Sequence, residues 1–147
     1  MVLIYRFKKE TLKGGGIVSR PRINILLRGK TAIQIPALID SGCDITVIPE
    51  GIANAIGIDT KKGKKDKLYA YRESTDVVQS EADITFLGKE HRQSVTIKIP
   101  VLIALKDPNF EEESDITLGV NGIFDNFDIT FSKSKNKITL KKVEQQI

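Results

Sequence analysis

The chain consists of short β-prone runs separated by turn signals, and this spacing restricts the folds open to it. Apolar or alternating runs recur along most of the length and are broken by Gly, Pro, Asn and Asp. Many short strands with a turn about every 8–12 residues are typical of a barrel or a sandwich. We therefore predict an all-β fold. The predicted strands cover residues 2–7, 23–27, 32–39, 45–48, 68–71, 76–79, 82–87, 94–99, 101–105, 128–131 and 137–140.

Two segments carry helix signals instead. Residues 49–56 begin with proline, include an early glutamate and are followed by Gly57, which are the start and stop signals of a short helix. Residues 119–127 place three apolar side chains at helical spacing. Residues 107–115 contain a proline and a run of glutamates, so a loop is expected there. The prediction is thus a closed or partly open β-barrel with one or two short helices.

Length and composition indicate one soluble globular domain spanning residues 1–147. A single cysteine, Cys43, excludes an intrachain disulfide and favours a reducing, cytoplasmic setting. We interpret Cys43 as a small buried filler, because no histidine lies near it in sequence to activate a thiol. Cys43 and His91 are too few for a zinc site, so we expect no metal and no other cofactor. No run approaches the roughly 20 apolar residues of a membrane span, and no membrane partner is expected.

The net charge of +4 is concentrated in residues 61–67, where five lysines stand close together. Such a run is most often a solvated loop, and we expect no nucleic-acid partner. An alternative function, a nucleic-acid-binding β-barrel, would use these lysines and would show salt-sensitive binding. Apart from Tyr69 and Tyr71, however, no aromatic side chains lie nearby to stack on bases.

The segment that points to chemistry is Asp40-Ser41-Gly42. A carboxylate stands at the end of an apolar run, residues 37–39, and a second apolar run follows at residues 45–48. Gly42 permits close backbone approach, and the Ser41 hydroxyl can donate and accept hydrogen bonds within the loop. The tripeptide alone is common turn chemistry. Its apolar flanks favour a carboxylate held in a tight loop on packed β-structure.

This layout resembles the retropepsin-like aspartic proteases, the family of retroviral proteases and their cellular and prokaryotic relatives. The family shows an apolar strand, Asp-Ser/Thr-Gly, a small residue, and a Thr four positions after the Gly. Here Asp40-Ser41-Gly42, Cys43 and Thr46 occupy those places. A second family signature, a Gly before a short helix and a closing hairpin, resembles Thr117-Leu118-Gly119 and the residues after it.

The resemblance covers about residues 23–141 and implies a β-barrel of the retropepsin type. Residues 1–22 are then an N-terminal strand extension, which could be an interface strand, an extra edge strand or a pro-segment. The implied activity is peptide hydrolysis by two neighbouring carboxylates. One is ionised and acts as general base on a water, and the other is protonated and polarises the scissile carbonyl.

Because the motif occurs once in the chain, the resemblance implies a homodimer in which each copy supplies one Asp40. The expected partners are a second copy and a polypeptide substrate. By family resemblance, Ser41 would brace the opposite loop, and residues 72–75 would form the tip of a mobile flap. The implied site residues are catalytic Asp40, active-site loop support from Ser41 and Gly42, and substrate binding by Asp44, Tyr71, Arg72, Glu73 and Ser74.

Two departures from the family pattern stand out. Val120 and Asn121 occupy positions where the family often has Arg or Asp, so a supporting ion pair is expected to be absent. The flap segment, residues 69–74, contains no glycine, whereas the viral flap tip is glycine-rich. These departures support an alternative function, a catalytically weak or inactive retropepsin-fold module for dimerisation or peptide binding.

Overall fold

The computed structural model describes residues 1–70, 72–89, 92–106 and 115–144, with Ala70 described by its backbone alone. Most of the predicted loop at 107–115, together with Tyr71 and His91, therefore lies outside the described residues. The elements are β1 (Val2–Tyr5), β2 (Lys8–Thr11), β3 (Ile17–Arg20), β4 (Arg22–Arg28), β5 (Ala32–Ile39), β6 (Thr46–Pro49), α1 (Glu50–Ala55), β7 (Lys65–Ala70), β8 (Glu73–Leu87), β9 (Ser94–Ala104), β10 (Ile116–Leu118), α2 (Ile123–Asn126), β11 (Phe127–Ser132) and β12 (Lys137–Lys142).

Seven strands form one sheet that closes into a ring. Their order is β4-β5-β10-β6-β9-β8-β7, and β4 also pairs with β8, which joins the two sides. Alternate residues of the strands point inwards, so that Ile25, Leu27 and Ile84 are fully buried while Asn24 and Arg28 are exposed. The ring and the two short helices confirm the predicted all-β fold class.

A separate sheet of three strands, in the order β1-β12-β11, covers one side of the ring. The rings of Phe86 in β8 and Phe127 in β11 pack edge to face with centroids 4.9 Å apart, a favoured geometry for aromatic pairs. Leu3 in β1 is buried in the same core, whereas its neighbours Val2 and Ile4 are exposed. This terminal sheet is thus held on the ring by one buried face and presents apolar side chains on the other.

Residues 8–20 form a two-stranded hairpin, β2 and β3, which we call the arm. The sequence pattern predicted only a chain break at the three glycines, which in the structure lie in the turn of this hairpin. Glu10 in the arm pairs with Arg22, which is 8% exposed and lies 3.0 Å from Asp115 through its Nη1 atom. Ion pairs rather than apolar packing therefore attach the arm to the ring.

Replacing Glu10 by Gln is expected to lower the free energy of unfolding at pH 7 by about 1–3 kcal/mol, because the buried Arg22 loses a charged partner. The hydrogen bond from Arg22 holds the pKa of the Glu10 carboxyl below its ordinary value of 4.5. A lowered folded-state pKa stabilises the protein above the unfolded-state pKa, and this stabilisation is lost as pH falls through the folded-state pKa. The difference between wild type and variant should therefore shrink below about pH 4.5.

Denaturant unfolding at pH 7 and at pH 3 measures this difference. Glu81→Gln is the matched control, since Glu81 is an exposed carboxylate on β8. The control should change stability by less than about 0.5 kcal/mol at both pH values. A Glu10→Gln effect that is equally large at pH 3 would contradict the assignment to this ion pair.

Several predicted boundaries are wrong, among them the separate strands at 76–79 and 82–87 and at 94–99 and 101–105, which are continuous in β8 and β9. The predicted loop over residues 61–67 ends at Lys64, because β7 begins at Lys65 and pairs there with Val78 of β8. The predicted flap tip at residues 72–75 is shorter, since Glu73 is already paired with Ala70. The second helix covers only Ile123–Asn126 rather than residues 119–127. In each case backbone pairing between strands, which the local pattern does not show, decides the boundary.

Candidate active site

Asp40 follows directly after β5 and is anchored from both sides. Its backbone N–H donates to the Leu118 carbonyl of β10 at 3.0 Å, which continues the parallel pairing of β5 with β10. Its side-chain Oδ1 accepts the N–H of Gly42 at 2.8 Å, which orients the carboxylate. Ile39 before it is buried, Asp40 is half-buried, and Ser41 and Gly42 are exposed. The loop thus presents an oriented carboxylate at the surface of a packed sheet.

The two sequence motifs meet in space through backbone hydrogen bonds. Val120 donates its N–H to the Cys43 carbonyl, and Asn121 donates its N–H to the Asp44 carbonyl, both at 2.8 Å. These bonds do not depend on the side chain at either position. The loop after Gly119 therefore supports the Asp40 loop although the charged residues that the family often carries here are replaced by Val and Asn.

A buried side chain adds a third bond between the motifs. The hydroxyl of Thr46, which is fully buried, accepts the N–H of Gly119 at 3.0 Å. A buried hydroxyl without a partner would be costly, so this bond satisfies both groups. A side chain at position 119 would not fit, because its Cβ would lie 2.6 Å from the Ile45 carbonyl carbon and 2.9 Å from the Cys43 oxygen. Glycine is therefore required where the two loops cross.

The β7–β8 hairpin, which we call the flap, is connected to the Asp40 loop by apolar packing. Val47, Val77 and Leu102 form a small buried cluster, and Leu68 of β7 packs against it together with Cys43 and Ile45. Val77 lies at the base of the flap and Leu68 partway along it. The flap and the Asp40 loop therefore share one apolar wall.

The end of the flap is a two-residue connection between Ala70 and Glu73, which pair with each other. Arg72 has a φ of 72°, in the left-handed region that glycine adopts without strain. Arg72, Glu73 and Ser74 are exposed, and Tyr71 lies outside the described residues. The structure thus groups the predicted site residues into two sets: Asp40, Ser41, Gly42 and Asp44 lie in the Asp40 loop, and Arg72, Glu73 and Ser74 lie at the end of the flap.

Replacing Arg72 by Gly is expected to raise the free energy of unfolding by about 0.5–1 kcal/mol. Removing the side chain relieves a left-handed conformation that costs roughly 1–2 kcal/mol, and part of this gain is offset by the greater backbone freedom of glycine when unfolded. Glu73→Gly is the matched control, because Glu73 is also exposed but lies in a strand. The control should destabilise by about 0.5–1 kcal/mol. Denaturant unfolding measures both, and a destabilised Arg72→Gly variant would contradict the expectation.

Cys43 lies within the same loop but is poorly suited to act as a nucleophile. Its thiol donates to the Ile45 carbonyl at 3.0 Å and is partly buried. Burial raises the pKa of the Cys43 thiol, and the neighbouring Asp40 and Asp44 charges raise it further. Since the thiolate is the reactive form, a raised pKa keeps the group inert near neutral pH. This agrees with the interpretation of Cys43 as a small filler.

Within the described ranges, no group of three or more His, Cys, Asp or Glu side chains is arranged to hold a metal ion. Among the same residues, no helix has both the length and the apolar character needed to cross a membrane.

The fold is shared with solved protein structures. A retropepsin-like aspartic protease from Rickettsia conorii matches with a TM-score of 0.59 and 15% identity, over 95% of this chain and 90% of that chain. The retroviral protease-like domain of Ddi1 from Leishmania major matches with a TM-score of 0.52 and 9% identity, over 86% and 96% of the two chains. No protein-family model matches the chain, and no curated protein matches it in sequence. At identities this low, the matches establish a shared fold and nothing further. The chain has the retropepsin fold that its two motifs predicted.

Proposed function

We propose that the protein is an aspartic endopeptidase that acts as a homodimer, with Asp40 of each copy forming one shared catalytic pair. The observation that carries the proposal is the Asp40 loop itself. Its carboxylate is accessible and oriented by the Gly42 N–H, and backbone bonds from Val120 and Asn121 fix the loop around it. A loop so strongly supported, on the retropepsin fold, is suited to hold a catalytic carboxylate in place.

A second copy is required by the chemistry. The ionised carboxylate takes a proton from water, while the protonated carboxyl donates a hydrogen bond to the scissile carbonyl. One side chain cannot perform both roles in the same step. Two like charges about 3 Å apart do not both ionise, so a close pair retains the one proton that the mechanism needs. A symmetric dimer about a two-fold axis through the Asp40 loops provides such a pair.

The substrate in this proposal is an extended polypeptide lying between the catalytic loops and the flap. Asp44 is suited to bind the substrate main chain, because its backbone carbonyl is already used by Asn121 while its side chain is exposed. The exposed Arg72, Glu73 and Ser74, together with Tyr71, would contact the substrate from the flap. The partly buried members of the apolar wall shared by flap and loop, Ile45 and Leu68, would contact substrate side chains.

A second candidate function is a catalytically weak or inactive module for peptide binding or dimerisation. The observation that favours it is the left-handed Arg72 at the end of the flap, where no glycine eases movement. In this case the extended peptide would bind without efficient turnover. The two candidates share the fold and the dimer, and they differ only in chemistry.

The test is to incubate the wild-type protein with an unfolded protein substrate between pH 3 and pH 7 and to identify new chain termini by mass spectrometry. The protease proposal expects cleavage within this range. Sedimentation under the same conditions should show a species of twice the 16.3 kDa chain mass. Peptide binding with no cleavage at any pH would reject the protease in favour of the second candidate, and cleavage by a strict monomer would reject the shared pair.

A further inference from the structure

The exposed apolar side chains of the described part of the protein are unevenly distributed. Seven of eight exposed large hydrophobic residues lie in the terminal sheet, its flanking residues or the arm, and the eighth is Tyr69 in the flap. Clustered exposed apolar side chains, unlike singly scattered ones, are typical of interaction surfaces. The seven residues are Met1, Val2, Ile4, Leu12, Ile17, Phe131 and Val143.

The arm contributes the most exposed of these residues, Ile17 at 73%. The pairing of Glu10 with Val18 places these two side chains on one face, where both are half-buried and Glu10 reaches Arg22. The next pair, Thr11 and Ile17, lies on the opposite face, and both residues are exposed. The arm therefore holds one face against its own chain and presents the other, with Ile17 on it, outwards.

A two-stranded hairpin is at best marginally stable by itself, and this one contributes no buried apolar side chain to the core. At about 3.3 Å per residue, each four-residue strand extends about 13 Å. An outward apolar face on a hairpin of this length needs a partner surface to be shielded from water.

The place where the arm joins the ring identifies that partner. Pro21, directly after the arm, accepts the N–H of Ile39 at 3.0 Å, and Ile39 immediately precedes Asp40. The arm thus leaves the ring beside the catalytic loop, which is the face that a second copy must approach. We propose that the arm is a clasp that packs its outer face, with Thr11 and Ile17, onto the second copy of the chain. This inference rests on the homodimer in the proposed function.

Charge complementarity also favours a second copy as the occupant. The arm carries Lys8, Lys9, Lys13 and Arg20 against the single acidic residue Glu10. Around the proposed catalytic centre, Asp44 in the Asp40 loop and Asp125 in α2 are exposed, and the bond from Asn121 to Asp44 joins the two segments. A basic arm approaching an acidic face is steered and oriented by these charges. In a symmetric dimer the contact occurs twice, so two arms would clasp the pair.

The first test compares dimer dissociation constants by sedimentation for wild type, Ile17→Asp and Asn54→Asp. Both substitutions introduce an acidic side chain at an exposed position, but Asn54 lies on α1, away from the arm. The clasp expects Ile17→Asp to raise the dissociation constant at least about tenfold, as for a central apolar interface residue, with Asn54→Asp near wild type. Thermal unfolding should show that both variants are folded. An unchanged constant for a folded Ile17→Asp variant would overturn the clasp.

The second test locates the arm directly. Equal amounts of unlabelled and ¹⁵N-labelled protein are mixed, allowed to exchange and treated with a lysine-reactive cross-linker. Cross-links from Lys9 to a lysine of the other isotopic copy are expected, and Lys9 cross-links confined to one copy would overturn the proposal. A dimer with inter-copy Lys9 links that never cleaves a peptide would reject the protease but retain the clasp. A dimer that cleaves peptides while Ile17→Asp dimerises normally would reject the clasp alone.

Discussion

Replacing Asp40 by Asn is expected to reduce peptide-bond cleavage by about 10²–10⁴-fold or more, with little loss of stability. Asparagine has the same shape, and its side-chain oxygen can still accept the Gly42 N–H that Asp40 Oδ1 accepts at 2.8 Å. The amide cannot take a proton from water, however, so the general base is lost from both copies at once. The measurement is the rate of cleavage of an unfolded protein at the optimal pH for wild type.

Asp59→Asn is a closely matched control. Asp59 is an exposed carboxylate whose Oδ1 accepts the N–H of Lys61 two residues later at 2.8 Å, the same local arrangement as in the Asp40 loop. The control should cleave at the wild-type rate, because only its charge is removed from a similar turn. If Asp40→Asn cleaves as fast as Asp59→Asn, Asp40 is not the catalytic carboxylate.

Mixing the two proteins tests whether the catalytic pair is shared. With a ninefold excess of Asp40→Asn, random exchange leaves only about one wild-type chain in ten paired with another wild-type chain. Cleavage per wild-type chain should therefore fall about tenfold, although the wild-type concentration is unchanged. An excess of Asp59→Asn should produce no fall. Activity that is independent of added Asp40→Asn would show that each copy works by itself.

Replacing Gly119 by Ala is expected to destabilise the protein by about 3 kcal/mol or more and to abolish activity. The new Cβ would lie 2.6 Å from the carbonyl carbon and 2.8 Å from the nitrogen of Ile45. Backbone atoms cannot rotate away as a flexible side chain does, so the two loops must separate. Separation would weaken the bonds from Gly119 to Thr46 and from Val120 to Cys43 that support the Asp40 loop.

Gly14→Ala is the control for this substitution. Gly14 lies in the turn of the arm, and an added Cβ would have no atom within 4 Å. Denaturant unfolding should show the control within about 0.5 kcal/mol of wild type. A Gly119→Ala variant as stable and active as Gly14→Ala would mean that the crossing of the two loops tolerates a side chain.

The sequence predicts the strands of the ring because their apolar residues alternate or run together, as in β4 and β5. It also predicts that the residues around Asp40 and Gly119 belong to one site, but only through the family resemblance. The bond between Thr46 and Gly119 joins positions 73 residues apart, and no local pattern signals it. Strand order in the ring likewise depends on such distant pairings.

The arm shows where a pattern-based prediction fails for a physical reason. Its first strand is Lys8–Thr11, which has no apolar residue, so the alternation that signals a half-buried strand is absent. What holds it in place is the pairing of Glu10 with Arg22, between side chains that separately look like ordinary surface charges. A salt bridge of this kind has no periodic signature. The start of β7 at Lys65 could not be predicted for the same reason, because its first three residues are charged.

The pairing of β8 limits the size of what can enter beneath the flap. Its contact with β9 begins at Val77, and Leu105 still donates to the Asp76 carbonyl at 2.9 Å, so within the described part of the chain only residues 73–75 of β8 extend beyond these contacts. Three residues span about 10 Å. If this end of the flap tilts by about 30°, a gap of about 5 Å opens beneath it. That gap matches the spacing of neighbouring strands, whereas a helix is about 10 Å across. Under the proposed function, a flap so short would admit a single extended chain, and helical segments of a substrate would have to unfold before cleavage.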